Sequence, residues 1–451
     1  MTTQRLETDY LVIGAGAMGM AFADEMLTQD PSIRITIVDK HAKAGGHWND
    51  AYPFVSLHQP AAFYGVNSEK LGSGGAALAS GTEVLSYYEL VLLKLINTGR
   101  LQHFGMCEHL GDGRFRSLVA SDQTYEVTVR KKTVDATFMK VTVPSTVEPQ
   151  YDVSPDATVV PLNELPNVRS PRSGYVVIGA GKTGIDAVLF LLGQQVDPDQ
   201  ISWIMPNDAW FLDRAQIQPG RMTEEGLGSQ FESFVGANSL KELFVSLEAH
   251  KRILRLDETV WPTKYRCATV SLEELDQLRR VKNVIRMGRV VRIEPKEIVM
   301  ERGSVPTDSD KLHVDCTADG LAKREIRPVF DGAKITLQSL FMCQQVFSAS
   351  VIAQVESNFD DEQRQNELCR VVPHPELSRD YVAAMAVSLG NMDSWGRAFG
   401  RWLRKSRLCF AHHESLLKLV VNGFRARRTI PGATRQMQLI LEQEFPGQQP
   451  G

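Results

Sequence analysis

No two cysteines stand close together in this chain. Cys107, Cys267, Cys316, Cys343, Cys369 and Cys409 are each at least twenty-six residues from the next, so there is no C-x-x-C pair and no zinc-type spacing. The ten histidines add no H-E-x-x-H or Cys/His cluster. A local dithiol of the kind used by flavoproteins that reduce disulfides is therefore excluded, and six reduced, packed thiols and no metal site are expected. Charge of one sign is also scarce: the net charge is −4 over 451 residues, which gives no reason to expect nucleic acid or an anionic membrane as partner. Long apolar runs are missing as well. The most apolar stretch, Tyr175 to Leu192, is interrupted by Lys182 and Asp186, so no membrane span is expected. The polar stretch Met1 to Thr8 leads straight into the first strand, leaving no room for a leader, and a cytoplasmic protein is the default.

What is present is organised around the forty residues from Asp9 to Trp48. An apolar, β-branched run, Asp9 to Ile13, ends in Gly14-Ala15-Gly16-Ala17-Met18-Gly19. A helix from Met20 opens at the last glycine, and Ile33 to Val38 reads as a second strand closed by Asp39. In such a βαβ unit Gly14 makes the turn, Gly16 lets a pyrophosphate approach the backbone and Gly19 lets helix and strand pack closely. The helix amides hold the phosphate. Asp39 stands where a carboxylate accepts hydrogen bonds from the hydroxyls of an adenosine ribose, with Lys40 beside it in the same site. Gly45-Gly46-His47-Trp48 follows almost at once. A second close backbone approach at Gly46, with His47 and the aromatic Trp48, suits a bulky cofactor such as FAD better than a simple nicotinamide.

A length of 451 residues with 43% hydrophobic content predicts two or three domains. Asn49 to Lys70 reads as an ordered loop, Glu83 to Ile96 as a helix, and Phe115 to Ala120, Tyr125 to Val129 and Thr133 to Ala136 as a β-meander ending on Val134-Asp135-Ala136-Thr137. Pro144, Pro149, Pro155, Pro161, Pro166 and Pro171 then punctuate a segment that can be neither a long helix nor a central strand, and is read as an interdomain crossing. Beyond it the first motif is repeated: Tyr175 to Ile178 runs into Gly179-Ala180-Gly181-Lys182-Thr183-Gly184, a helix to Leu192 and a strand at Ile201 to Met205. This is not a nucleoside-triphosphate loop, because Val176 stands where that motif needs its first glycine. Strands at Val290 to Ile293 and Ile298 to Met300 precede Val314-Asp315-Cys316-Thr317, an echo of the first closing tetrapeptide. Duplicated dinucleotide-binding domains explain the repeat.

Two glycine motifs, with Gly-Gly-x-Trp after the first ribose acid, resemble the flavin-containing and Baeyer–Villiger monooxygenases, as a divergent member. Tyr52-Pro53 is similar to the Baeyer–Villiger branch, and Asn67-Ser68-Glu69-Lys70 to an Asn-x-x-Lys segment of the other. The F-x-G-x-x-x-H fingerprint is absent from Asp152 to Gly174, and the usual Ala-Thr-Gly strand end appears as Thr317-Ala318-Asp319-Gly320.

The resemblance implies an α/β fold of two Rossmann-like domains, the NAD(P)-binding one inserted in the FAD-binding one. Residues 1–170 would form the first part of the FAD domain with a linker at 144–171, residues 171–321 the NAD(P) domain, and residues 322–451 the returning segment with C-terminal helices. Phe330-Asp331-Gly332 and Ile335 to Gln338 would carry the chain back, and Phe347 to Val355 would begin the next helix. Gly14, Gly16, Gly19 and Asp39 would bind FAD; Gly179, Gly181, Gly184, Lys182 and Thr183 would bind NADPH, with NADH possible and Arg214 available for a 2′-phosphate. The implied reaction inserts one oxygen atom from O2 into a small organic substrate through a flavin hydroperoxide. A neutral amide over the flavin suits that adduct, which makes Asn67 the candidate catalytic residue. His47 and His58 are read as structural. Arg397, Arg401, Arg404, Lys405, Arg407, Arg425, Arg427 and Arg428 are read as a solvated helix face, and Gln448 to Gly451 as a frayed end. An NAD(P)H:acceptor flavin oxidoreductase and a non-enzymatic cofactor sensor stay open beside the oxygenase; oligomeric state is open too.

Overall fold

The structure is a computed structural model that describes residues 2–74, 78–120, 122–218, 227–318, 320, 324–410 and 416–446; for 227–229 and 416–429 only the backbone is described. Asp319, Arg425, Arg427, Arg428 and the Gln448 to Gly451 tail, all singled out above, fall outside what it describes at side-chain level.

Strand β1 (Thr2–Ile13), helix α1 (Ala17–Gln29) and β2 (Ile35–Val38) form the opening βαβ unit. β1 starts well before the apolar run because its first residues pair with Gln123 to Val129 as an exposed ribbon. Polar side chains are at home on such a ribbon, so it carries no hydrophobic signal. After α2 (Gly81–Asn97) come β3 (Leu101–Phe104), β4 (Cys107–Gly111), β5 (Arg114–Ser117) and β6 (Gln123–Asp135). The second and third runs of the expected meander are thus one strand, parallel to β1 along its length, with a register shift between Thr8 and Tyr10.

Short strands β7 (Asp152–Val153) and β8 (Val159–Pro161) lead to β9 (Tyr175–Ile178), α3 (Lys182–Gly193), β10 (Ile201–Ile204) and β11 (Ala209–Asp213). Next are α4 (Leu227–Gly236), α5 (Leu240–Ala249), β12 (Ile253–Leu254), β13 (Lys264–Val270), α6 (Leu272–Leu278), β14 (Asn283–Ile285), β15 (Val290–Ile293), β16 (Glu297–Met300), β17 (Gly303–Pro306) and β18 (Leu312–Asp315). The second parallel sheet runs β14-β10-β9-β18-β8, and β7 edges the sheet of β15, β16 and β17. Residues 152–161 therefore pair within the second unit, whereas the sequence places them in the linker. Strands of two or three residues are too short to show a period.

The chain then re-enters the first sheet. β19 (Phe330–Asp331) and β20 (Lys334–Thr336) extend it to the order β19-β20-β6-β1-β2-β3, with β20 parallel to β6 through Ile335 and Val134. Helix α7 (Gln345–Asn358) packs on α1, and Phe22, Met26, Phe347, Val351 and Val355 share one core with the strands above them. α8 (Glu362–Leu368), α9 (Ser378–Lys405), which bends at Phe399 (φ −146°), and α10 (Leu416–Glu444) complete the fold.

The duplication is physical as well as textual. Thr137 and Thr317 each donate backbone N–H and hydroxyl to the carboxylate two residues before, Asp135 or Asp315, so the two Val-Asp-x-Thr ends form the same turn. Each turn packs beneath the first glycine of its own half. A β-carbon on Gly14 (φ +103°) would lie 2.9 Å from Thr137 Cγ2, and one on Gly179 (φ +125°) would lie 2.5 Å from the Cys316 carbonyl.

The basic C-terminal region is not uniformly a solvated face. Arg397 pairs with Asp393 at the surface, but Arg407 is buried. Its Nε donates to the Val66 carbonyl (2.7 Å), Nη1 to Ala62 (2.9 Å) and Nη2 to Tyr64 (2.7 Å) and the Tyr87 hydroxyl (3.3 Å). A run of arginines in the sequence does not show which one turns inward.

On α1 the carboxyl of Asp24 is buried, and burial pushes its pKa from 3.8 up to about 6 against the hydrogen bonds from Ser68. Its ionised form therefore costs stability in the folded state: the cost is absent below pH ~3.8 and complete above pH ~6, about 3 kcal/mol for that gap. Asp24→Asn is expected to raise the unfolding midpoint at pH 8 and to leave it nearly unchanged at pH 4, as thermal denaturation at the two pH values will read. Equal shifts at both would remove the titration as the cause.

Candidate functional site

The two glycine turns open onto one cavity of ≈2310 Å³, more than twice the ~1,000 Å³ at the upper end of ordinary small-molecule sites. Of the residues singled out from the sequence, Gly14, Gly16, Asp39, Lys40, Gly46, His47, Trp48, Gly179, Gly181, Lys182 and Thr183 line it together. Gly19, Gly184, Arg214 and Asn67 do not line it.

The first turn is held by Gly14 N–H to the Val38 carbonyl (2.8 Å) and Gly45 N–H to the Ala15 carbonyl (2.9 Å). The second link brings Gly46 against Gly16: a β-carbon on Gly46 would lie 3.0 Å from Gly16 Cα. Gly19 serves packing, since its β-carbon would sit 2.1 Å from the Gly14 carbonyl. Gly16 caps α1 with no side-chain acceptor, so the first-turn amides are open to a ligand anion. Asp39 closes the floor. Its Oδ2 accepts from Ala15 N–H (2.6 Å), and its Oδ1 accepts from His41 N–H (2.7 Å) and pairs with His41 Nδ1 (3.0 Å). Burial works against the Asp39 carboxylate, but those hydrogen bonds hold it below its ordinary range. Hydrogen bonding to Asp39, against burial, raises His41, whose Nε2 also reaches Asp50 (2.9 Å). Three bonds leave about one of the carboxylate's roughly four acceptor positions for a ribose hydroxyl.

Trp48 is buried, with its Nε1 donating to the Tyr64 hydroxyl at 2.7 Å, and His47 lies beside it, ring centroids 5.4 Å apart. Burial lowers His47 to about 4 and His58, also on the wall, to about 3, so both imidazoles are neutral at pH 7. Nδ1 of His58 and the Oε1 atoms of Gln344 and Gln345, at the start of α7, are buried at the cavity without hydrogen-bond partners. A polar ligand would satisfy them, as buried polar atoms require.

The second turn repeats the first. Gly179 N–H bonds the Ile204 carbonyl (3.0 Å), Trp203 Nε1 donates to the Gly179 carbonyl (2.8 Å), and a β-carbon on Gly184 would lie 2.1 Å from that same carbonyl. Gly181 caps α3 with no side-chain acceptor, and a β-carbon there would meet nothing within 4 Å. Lys182 turns back onto both oxygens of Asp186, which also accepts from the Tyr52 hydroxyl. Phe54 stacks on Phe190, 4.1 Å between centroids. The loop after Trp48 thus fastens the first unit to α3 of the second.

Two expected ligand contacts are committed elsewhere. Arg214 is buried, pairs with Glu274 (2.6 Å) and donates to the His58 carbonyl (3.2 Å). Asn67 donates through Nδ2 to Glu25 Oε2 (2.6 Å) on α1 and accepts at Oδ1 from the Ser406 hydroxyl (2.9 Å). It braces the loop between α1 and the end of α9. Asn67→Ala is expected to lower stability by about 1–2 kcal/mol and to leave cofactor binding and turnover unchanged, read by denaturant titration and steady-state rates; a change in turnover with unchanged stability would return Asn67 to the reaction.

The cysteine expectation is corrected. Cys267 of β13 and Cys343 ahead of α7 are bonded to each other across 76 residues, and with His374 they form a group whose donor atoms lie within 4.8 Å. Sequence spacing could not show a pair made by tertiary folding. Cys107, Cys316 and Cys369 are buried free thiols, as expected, and Cys409 is buried as well. Among the described residues no helix is long and apolar enough to cross a membrane.

The pattern of the NAD(P)-binding Rossmann-like domain matches residues 12–62. The mycobacterial proteins Rv2000 of Mycobacterium tuberculosis (strain H37Rv) and Mb2023 of Mycobacterium bovis are each 47% identical to this chain over 447 residues, spanning 94% of it and 82% of their own length. Among solved structures, a mutant flavin monooxygenase from Stenotrophomonas maltophilia superposes with a TM-score of 0.50 at 16% identity, covering 81% of this chain and 99% of that one. A polycyclic ketone monooxygenase from the fungus Thermothelomyces thermophila gives 0.51 at 14% identity, covering 99% and 89%. At these identities the likeness is one of fold alone.

Proposed function

The chain belongs to the family of the mycobacterial proteins Rv2000 and Mb2023, and we propose that it is an FAD-dependent, NADPH-consuming monooxygenase that inserts one oxygen atom from O2 into an amine, a sulfide or a ketone. The observation that carries this reading is the pair of glycine cradles, Gly16 and Gly181, each at an uncapped helix start and both on one cavity. The monooxygenase fold of the solved relatives supports it. When bound, FAD would accept the hydride that NADPH carries and pass electrons to O2.

The chain's own residues supply binding, orientation and exclusion of water. Gly14, Gly16 and the first turn of α1 would hold the FAD pyrophosphate, and Asp39 a ribose hydroxyl. Gly46, His47 and Trp48 would wall the same cofactor. Gly179, Gly181 and the first turn of α3 would hold the NADPH pyrophosphate. Lys182 would reach a phosphate by leaving Asp186, which keeps its Tyr52 partner. The neutral imidazoles of His47 and His58 bring no charge to the wall, which suits a reaction that must be kept from water. A small organic substrate and O2 are the partners, and a cytoplasmic location is part of this reading.

The test is anaerobic mixing of the purified protein with NADPH, then with oxygen and a panel of amines, sulfides and ketones. The oxygenase is expected to bleach its flavin with NADPH and to release an oxygenated product from at least one panel class. Reduction followed by peroxide release with no oxygenated product would favour an NAD(P)H:acceptor oxidoreductase. No reduction at all would favour a cofactor sensor.

A further inference from the structure

The bonded pair Cys267–Cys343 lines the cavity, and so does His374, whose Nε2 is 3.7 Å from Cys343 Sγ. The backbone on both sides is bent to make this meeting. Pairing of β13 with β11 slips between Trp210 and Leu212, where the three residues Trp210 to Leu212 of β11 face the five from Tyr265 to Thr269 of β13. Cys267 sits in that bulge with φ +56°, and Met342, the residue before Cys343, has φ +41°. Non-glycine residues seldom adopt such angles. Bulges and left-handed residues gather where a side chain must be aimed.

Contacts other than the S–S bond tie both cysteine-bearing segments to α9; on the Cys343 side, Met342 N–H donates to the Ser388 hydroxyl (3.0 Å). Lys264 pairs with Glu376 (2.7 Å), Tyr265 N–H donates to the Glu376 carbonyl (2.8 Å), and the rings of Tyr265 and Tyr381 are 4.3 Å apart. β13 and the segment ahead of α7 are therefore both fastened to α9 by contacts that do not depend on the S–S bond. A purely structural link would have no use for an imidazole or for a face on the cavity that the two glycine turns share.

We propose that Cys267, Cys343 and His374 form a thiol–disulfide exchange site whose partner is a small dithiol, or a pair of small thiols, entering from the cavity. Cys267 is 7% exposed and Cys343 is half-buried, so the incoming thiolate attacks Cys343 Sγ. A new S–S bond forms between the partner and Cys343 while the Cys267–Cys343 bond breaks. The electron pair leaves on Cys267 Sγ, which takes its proton by way of His374. The second thiol of the partner then attacks the mixed disulfide and frees Cys343. Two electrons and two protons have passed to the protein, and the partner leaves as a disulfide. The step requires no bound nucleotide, so it stands or falls apart from the oxygenase reading.

The test uses the full-length protein, equilibrated in buffers of graded reduced-to-oxidised dithiothreitol, trapped with an alkylating agent and read by peptide mass spectrometry. Cys267 and Cys343 are expected to pass together and reversibly between the bonded and the doubly alkylated form, while Cys107, Cys316, Cys369 and Cys409 stay unlabelled in the folded protein. His374→Gln is expected to slow reduction by dithiothreitol roughly tenfold or more and to leave the equilibrium ratio at each buffer unchanged. A merely structural histidine would shift the ratio instead. The proposal is overturned by two unlinked thiols in every buffer, by a link that yields only after unfolding in urea, or by wild-type exchange rates in His374→Gln. The wild-type titration decides even where that variant does not fold.

Discussion

Replacement of Gly16 by valine is expected to yield folded protein that purifies without flavin, and replacement of Gly181 by valine to yield yellow protein that NADPH scarcely reduces. The two positions share a geometry. Gly16 has φ −73° and Gly181 φ −82°, ordinary angles that any residue adopts. A β-carbon at Gly16 would come no nearer to its surroundings than 3.7 Å, and one at Gly181 would meet nothing within 4 Å. Neither glycine is there for the fold. The space each leaves is at a helix start whose amides lack a side-chain cap, where a pyrophosphate would rest. Filling it removes the phosphate contacts, and a loss of about two orders of magnitude in affinity, ~3 kcal/mol, is expected for the ligand of that turn alone. Gly19→Ala and Gly184→Ala are the contrasting pair: each β-carbon would lie 2.1 Å from a carbonyl oxygen, so these variants should lose structure and not merely a ligand. Flavin absorbance per protein after gel filtration and the NADPH dependence of anaerobic reduction separate the cases. FAD retained in folded Gly16→Val, or lost from folded Gly181→Val, would refute the assignment of the two turns.

Arg407→Ala is the second large effect. The guanidinium satisfies three carbonyls of a single loop, at Ala62, Tyr64 and Val66. Truncation leaves those acceptors buried and unpaired, at about 1–3 kcal/mol each, so a loss of about 3–5 kcal/mol is expected after relaxation. Arg407→Lys should recover little, because a compact ammonium cannot match a planar fork of donors. The effect should reach the cavity as well, since the same loop carries the Tyr64 hydroxyl that holds Trp48. Denaturant midpoints and the rate of flavin release into fluorescence would measure both. An Arg407→Ala protein as stable as wild type, or full recovery with lysine, would show that the loop holds itself.

The parts of this molecule that could be read from the amino-acid order are those in which the order itself carries the steric requirement. Gly14 and Gly179 are legible because a positive φ and a neighbour within 3 Å admit nothing larger. The Val-Asp-x-Thr ends are legible because an aspartate closes its turn on a threonine two residues away. Distant partners are another matter. Asn67 finds Ser406, Arg407 finds Tyr64, and Cys267 finds Cys343 only once the returning segment is in place. Each is an ordinary surface residue on local grounds. Arg214 fails for the same reason, its charge being spent on Glu274. The strands at 152–161 fail for shortness, and the first half of β1 because a ribbon exposed on both faces has no apolar alternation to display.

The return of β20 to the side of β6 also sets a timetable. β6 ends at Asp135, and β20 begins at Lys334, so roughly 200 residues must leave the ribosome in between, on the order of 10–40 s at ordinary rates of synthesis. For that interval α1 has no α7 to cover Phe22 and Met26, and the N-terminal sheet stands with an unpaired edge. The second unit, from β8 to β18, is under no such delay. In its parallel sheet the first strand in chain order, β8, and the last, β18, are neighbours paired through Val160 and Val314, so its own folding brings these two distant stretches of chain together. The long loop is then closed before the returning segment has to find its place, and the unit made second is the one that finishes first.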